Sequence, residues 1–381
     1  MFNFTSLPPL SLYVHIPWCV RKCPYCDFNS HEARAAIPEQ EYIDALLRDL
    51  EQDLPRVWGR TIQSIFIGGG TPSLFAPEAI DRLLSGLRAR LLLSQDVEIT
   101  LEANPGTVEL ERFKGFRQAG INRLSIGIQS FDAEKLQALG RIHGGAEAER
   151  AAAAARQAGF ENFNLDLMFG LPQQTLEQAL ADIRCAIQFQ PSHLSVYQLT
   201  LEPNTLFHAQ PPALPDDDVI WEMQCQLQKE LAAAGYRQYE ISAYAQAGKE
   251  CRHNLNYWLF GDYLGIGAGA HSKITDNNSI TRAWKVKQPK EYLRLAGTPA
   301  GIGGAEKLTR ADMPMEFMMN ALRLSAGFPP RLFAERAGLP ISAMEKSLHA
   351  AERDGLITWD LDCLRPTEKG FRFLNNLLGL F

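Results

Sequence analysis

The chain has 381 residues, which is room for two or three domains or for one large barrel with an appendage. With 46% hydrophobic and 22% charged residues it reads as globular, and a net charge of −6 argues against a general binder of nucleic acid or anionic membrane. Its seven cysteines are an odd number, with three bunched between 19 and 26, which points to a metal site in a reducing cytoplasm rather than to a disulfide framework.

The opening stretch "MFNFTSLPPLSLYV" carries no basic residue and two adjacent prolines, so no signal peptide is expected. No apolar run approaches the ~18 residues of a membrane span. The β-branched run 11–16 predicts a strand that leads straight into Cys19, Cys23 and Cys26. A helix follows over 40–54, then a strand over 64–69 ending in Gly68-Gly69-Gly70-Thr71, and a helix over 77–91. Further strands are expected over 97–102, 123–128, 162–169 and 193–199, with a helix over 175–189; Ser73 and Thr107 are expected near helix starts as caps. Alternation of this kind gives a parallel sheet covered by helices. The strands end on polar or glycine stations: the cysteines, the glycine turn, Glu102, Gln129, Asp166 and Gln198. Functional groups spread over many consecutive strand ends favour a partial (β/α) barrel over a doubly wound sheet, which concentrates them at one switch point.

From about 205 the pattern changes. An acidic start, "PDDD", opens one more helix and suits its N-terminus. "LGIGAGAHS" (264–272) lacks the helix and acidic partner of a dinucleotide fingerprint and is read as a strand closing the cleft. The last seventy or so residues read helix, short helix, longer helix, hairpin and closing helix, a winged-helix-like order. Basic and acidic residues nearly balance there, so a lid or docking role is preferred to DNA binding. The expected domains are 1–240 for the barrel, 241–305 for a barrel-closing extension, and 306–381 for the C-terminal unit.

Cys-x3-Cys-x2-Cys after a strand wraps a loop around one metal centre. Zinc is one option, since "CPYC" suits a knuckle, but a structural zinc site needs a fourth ligand. His15 lies back in the strand and His31 is five residues on. An iron–sulfur cluster on three thiolates leaves one iron open, and a small molecule with an amine and a carboxylate fits that vacancy.

The cysteine triplet with Tyr25 before its last member resembles the radical S-adenosylmethionine (SAM) superfamily. "YVHIPWC", "FIGGGTPS", "EANPGT", "IGIQSF" and "NLDLMFGLP" resemble its branch of oxygen-independent coproporphyrinogen III dehydrogenases and their relatives, over nearly the whole chain. The resemblance implies that Cys19, Cys23 and Cys26 hold a [4Fe–4S] cluster whose open iron takes the methionyl amine and carboxylate of SAM, with reductive cleavage to a 5′-deoxyadenosyl radical. It also implies SAM contacts from Tyr13, Tyr25, Gly69, Gly70, Thr71, Glu102, Gln129, Arg141 and Asp166. The glycines let backbone approach the methionyl group, Gln129 offers a donor and an acceptor, and Arg141 would face the carboxylate.

Two departures from the dehydrogenases bear on function. They carry a further cysteine two positions after the third, where this chain has Phe28, and a long N-terminal extension, where only twelve residues precede Tyr13. Both features match the shorter sister group, the heme chaperones known as HemW. "HNLNYW" (253–258) resembles the HNxxYW signature of that group. His253 is therefore the expected heme ligand, with Tyr257 and Trp258 stacking on the macrocycle; the alternative is a packed aromatic cluster. Cys251 could share a strand face with His253, but a buried small side chain is the better reading. The function expected is to bind heme, cluster and SAM and to deliver heme to an acceptor protein, including acceptors at the membrane. The chain is expected to be cytoplasmic or peripheral at the inner membrane. Radical decarboxylation of coproporphyrinogen III is the alternative.

Overall fold

The computed structural model describes residues 2–106 and 109–381; Thr107, one of the two expected caps, lies outside the described residues. Six strands form the centre: β1 (Leu10–Ile16), β2 (Thr61–Gly69), β3 (Leu92–Ala103), β4 (Arg123–Gln129), β5 (Phe163–Phe169) and β6 (His193–Gln198). Each pairs in parallel with the next. Helices fill the crossovers: α1 (Glu39–Val57), α2 (Pro77–Arg88), α3 (Glu109–Ala119), α4 (Ala133–Ala138), α5 (Gly145–Gln157) and α6 (Leu176–Gln188). Neighbours in sequence are thus neighbours in the sheet, which is the order of a barrel; a doubly wound sheet would reverse direction part-way. All the β1 side chains except Tyr13 are buried, as befits a strand covered on both faces. The α2 residues Ala79, Ile80, Leu83, Leu84 and Leu87 make a buried stripe that joins the main core. At α6, Thr175 Oγ1 accepts from Gln178 N at 3.3 Å and Gln178 Oε1 from Thr175 N at 2.9 Å, so the helix start is written locally.

Beyond β6 comes α7 (Asp217–Ala233), with Asp217 and Asp218 in its first turn as expected. A two-residue strand, Arg237–Gln238, pairs with β7 (Ala243–Ala245), which lies antiparallel to β6. The chain then crosses to the other side of the sheet through α8 (Arg252–Trp258). There β8 (Asp262–Ile266) runs parallel to β1, followed by antiparallel β9 (His271–Thr275), β10 (Ile280–Lys285) and β11 (Ile302–Lys307). Among the described residues the twelve-stranded sheet stays open, ending at β11 and at Arg237–Gln238. Asp262 pins the added strands: fully buried, it accepts from Lys273 Nζ at 2.9 Å, Arg60 Nη1 at 2.8 Å and both Thr275 N and Oγ1.

The C-terminal region is mostly helical (Met313–Ala321, Arg331–Ala337, Glu345–Arg353) with a hairpin of Ile357–Trp359 and Leu364–Pro366, then short helices. It has its own core around Phe317, Phe333 and Leu348, which Phe260 and Ile280 enter from the sheet side. No described helix is long and apolar enough to cross a membrane.

Three local expectations need correction. Ser73 caps no α-helix: it sits inside the 3-10 turn Pro72–Leu74, while α2 begins after Ala76 with Pro77 at its first position. Residues 264–272 are not one strand but β8, a glycine turn and the start of β9. The segment holding His253 is the helix α8 rather than a strand, so Cys251 and His253 share no pleat face; Cys251 is buried as its N-cap.

Candidate functional site

The cysteine loop is stapled to the ends of β1 and β2. Trp18–Cys19 pairs with His31–Glu32, Ala33 N donates to Cys19 O at 2.9 Å, and Cys26 N closes a turn on Cys23 O at 3.1 Å. Gly70 N donates to Ile16 O and Thr71 N to Trp18 O, each at 2.7 Å. A Cβ on Gly70 would lie 2.5 Å from Trp18 O, so the approach of turn to loop needs glycine. Donors surround the sulfurs: Thr71 Oγ1 to Cys19 Sγ at 3.6 Å, Arg141 Nη1 to Cys23 Sγ at 3.6 Å, and Ser30 Oγ at 3.8 Å from Cys26 Sγ. Burial pushes the Cys19 and Cys26 thiols up.

A cavity of about 300 Å³ is lined by all three cysteines and by Tyr25, Gly69, Gly70, Thr71, Glu102, Gln129, Arg141 and Asp166. Eight of the nine side chains and turns expected around SAM therefore share one space with the cysteines. Tyr13 is the exception. It lies on an adjoining cavity, its hydroxyl 2.9 Å from His15 Nδ1.

Burial pushes the Glu102 carboxyl up to about 7, with Asp166 adding to the rise, while Gly69 N donates to its Oε2 at 2.9 Å. Burial likewise raises Asp166, against hydrogen bonds from Asn164 Nδ2 (2.8 Å) and Ser125 Oγ (3.1 Å). Arg141 is no solvated helix-end residue, for its Nη2 donates to Asn104 Oδ1 at 2.6 Å and to Gly127 O at 2.8 Å. Gln129 ends β4 at φ +68, a left-handed conformation that costs a non-glycine residue about 1–3 kcal/mol and tends to gather at functional sites. Asn104, Ser125 and Tyr197 line the same cavity and were not foreseen. Asn104 stood inside the quoted "EANPGT", two residues after Glu102, and was legible there; Ser125 and Tyr197 gave no sequence signal.

His253 is 2% exposed. Its Nδ1 lies 3.1 Å from Ser64 Oγ and its Nε2 3.2 Å from Tyr257 OH, and its ring stacks on Phe66 at 5.0 Å. Burial, then the Arg123 charge, lowers its pKa to about 3. Both ring nitrogens thus have hydrogen-bond partners inside the protein.

The sequence model of the radical SAM superfamily matches residues 13–186, and that of the HemN C-terminal domain matches 308–373. Over 381 residues the chain is 53% identical to the heme chaperone HemW of Haemophilus influenzae, covering 99% of this chain and 98% of that protein. It is 52% identical over 377 residues to the heme chaperone HemW of Escherichia coli, covering 99% of each. The chain belongs to the HemW family of radical SAM proteins. A solved structure of coproporphyrinogen III oxidase (HemN) from Escherichia coli, titled a radical SAM enzyme, matches with a TM-score of 0.83 at 27% identity, over 98% of this chain and 90% of that one. This chain therefore shares the fold of that structure over 98% of its length, C-terminal region included.

Radical SAM membership implies a [4Fe–4S] cluster and SAM, and the residues fit both. Among the described residues no three His, Cys, Asp or Glu side chains converge on a single ion. A cubane cluster does not need that, because each thiolate binds a different iron. Donors to the sulfurs are the usual means of tuning such a cluster. Arg141 lines the cavity, and its buried Nε has no hydrogen-bond partner in the protein.

Proposed function

We propose that this protein binds heme and delivers it to an acceptor protein, with its cluster and SAM governing binding or transfer. Identity of 52–53% to named heme chaperones, over essentially the full length of each, carries this reading. Acceptors at the membrane, with the chain attached peripherally, belong to the same proposal. In it Cys19, Cys23 and Cys26 hold the cluster, which when bound supplies an electron-transfer centre. Gly69 and Gly70 bring backbone to the methionyl group, Arg141 meets its carboxylate, and Glu102, Asp166 and Gln129 bind the remaining polar groups. Tyr25 walls the cavity, its ring 6.3 Å from that of Phe207. Tyr13 acts from the adjoining side through His15.

Phe28 supports delivery over decarboxylation. It replaces the extra cysteine of the dehydrogenases, and at 61% exposure it is an apolar ring held at the rim. The test is anaerobic reconstitution followed by hemin titration and an assay for protoporphyrinogen IX on one preparation. About one cluster per chain, saturable hemin binding and no conversion of coproporphyrinogen III are expected. Turnover of coproporphyrinogen III, or failure to bind hemin, would overturn the reading.

A further inference from the structure

We infer that His193 and Tyr239 are positioning residues for SAM: through Asn164 they hold Asp166, and they tie it to helix α8. The inference rests on the reading of Asp166 as a SAM contact.

Five side chains form one hydrogen-bonded line from the SAM cavity to α8. Asp166, in the cavity wall, accepts from Asn164 Nδ2 at 2.8 Å. Asn164 Oδ1 lies 2.7 Å from His193 Nδ1, and His193 Nε2 lies 2.9 Å from Tyr239 OH. Tyr239 OH accepts from Asn254 Nδ2 at 3.4 Å. Asn164 and Asp166 are two apart on β5 and so share a face. His193 comes from β6, Tyr239 from the loop before β7, and Asn254 from α8. His193, Tyr239 and Asn164 are all buried.

The line has a direction. Burial, then the Arg123 charge, holds His193 well below its ordinary pKa, so its ring is neutral, with one donor and one acceptor. Asn254 donates to the Tyr239 oxygen, which leaves the phenol proton for His193 Nε2. His193 Nδ1 then carries the ring's hydrogen and donates to Asn164 Oδ1. Ser195 Oγ donates to the same oxygen at 3.1 Å. With that oxygen taken, the Asn164 amide turns its two N–H bonds to Asp166 Oδ1 and Ser125 Oγ, at 2.8 Å each. Ser125 Oγ in turn donates to Asp166 Oδ2 at 3.1 Å. Every donor therefore points towards Asp166, and bonds chained in one sense polarise one another. In the other tautomer His193 Nδ1 would be an acceptor facing the Asn164 oxygen. The amide would then rotate and set that oxygen against the carboxylate. The outermost link is the longest, so a shift of α8 breaks it first, and SAM affinity follows the position of α8.

The charged and titratable groups facing Asp166 are Glu102 on β3, Arg123 on β4 and Tyr197 on β6. None of them is altered in the variants below. Burial raises the Asp166 carboxyl and its hydrogen bonds lower it, so a lost donor lets it rise further. SAM then loses an ionised partner as pH falls.

The test is calorimetric titration of SAM into the anaerobically reconstituted full chain between pH 6 and 8. Tyr239→Phe removes one hydroxyl and keeps the ring; it should weaken SAM binding roughly 2–10-fold, and more at pH 6 than at pH 8. Asn254→Leu should act in the same direction and less. His193→Phe should exceed both, with circular dichroism as the check on folding. In an Asp166→Asn background, Tyr239→Phe should bring no further pH-dependent loss. Tyr236→Phe removes a buried hydroxyl that donates to Pro191 O at 2.6 Å, outside the line, and should bind SAM as the unmodified chain does. Tyr239→Phe with unchanged affinity at every pH overturns the inference. So does an equal loss in Tyr236→Phe, or the same pH-dependent loss in the Asp166→Asn background. If Asp166→Asn alone binds SAM as tightly as the unmodified chain, the assignment of Asp166 itself fails, which is a distinguishable result.

Discussion

Gly69→Ala probes the joint between the glycine turn and the cluster loop. Gly69 ends β2 at φ +116, a region that costs a side-chain-bearing residue about 1–3 kcal/mol. A Cβ there would also stand 2.4 Å from His15 Cε1 and 2.6 Å from Nδ1. That ring cannot swing aside freely, because Tyr13 OH and Asn29 O hold its two nitrogens at 2.9 Å each. Overpacking of this kind costs about 1–3 kcal/mol more. The sum, roughly 2–6 kcal/mol, is a large share of the ~5–15 kcal/mol that stabilises a typical domain.

The loss also has a direction. Asn29 follows Cys26 by three residues, so pushing His15 away loosens the cysteine loop from β1. Urea unfolding of the apoprotein should show the destabilisation, and the reconstituted variant should lose iron and the SAM-induced change in its cluster spectrum. Gly59→Ala is the control: its φ is +75 and nothing lies within 4 Å of a Cβ there, so it isolates the backbone cost of about 1–3 kcal/mol. If Gly69→Ala costs no more than Gly59→Ala and responds to SAM as before, the steric argument is wrong.

Replacing Cys23 with Ala should abolish the [4Fe–4S] absorbance and iron content; retention of full iron with loss of stoichiometric zinc would mean the loop is a zinc knuckle. Glu102, raised from its ordinary 4.5 to about 7, binds its proton more tightly folded than unfolded, so its contribution to stability is full below about pH 4 and is lost as pH rises through 7. Glu102→Gln should remove up to ~3 kcal/mol of that pH dependence, read from urea unfolding of the apoprotein between pH 4.5 and 7.5; an identical slope in both proteins would contradict the raised pKa. Asp262→Asn leaves Lys273 and Arg60 without their buried counter-charge and should cost ~3–5 kcal/mol in the same assay, with a cost under 1 kcal/mol refuting that pairing.

The six strands, their helices and the cysteine triplet were legible along the chain because period, caps and metal spacing are local properties. The strand-end stations were legible too, since a barrel habit shows as polar residues recurring after each apolar run. Tertiary structure decided what those residues meet. The strand order, which settles barrel against doubly wound sheet, is a matter of pairing between segments tens of residues apart. Sequence gave His253 an aromatic neighbourhood and an imidazole's bonding options. Only folding supplied Ser64, 189 residues away, and the Phe66 ring that covers it. His271 likewise meets Trp284 only through folding, because the β9–β10 register sets the two opposite each other. A side chain's chemistry is fixed by its residue type, but whether its polar atoms are satisfied or left open depends on packing between distant segments, which no spacing along the chain encodes.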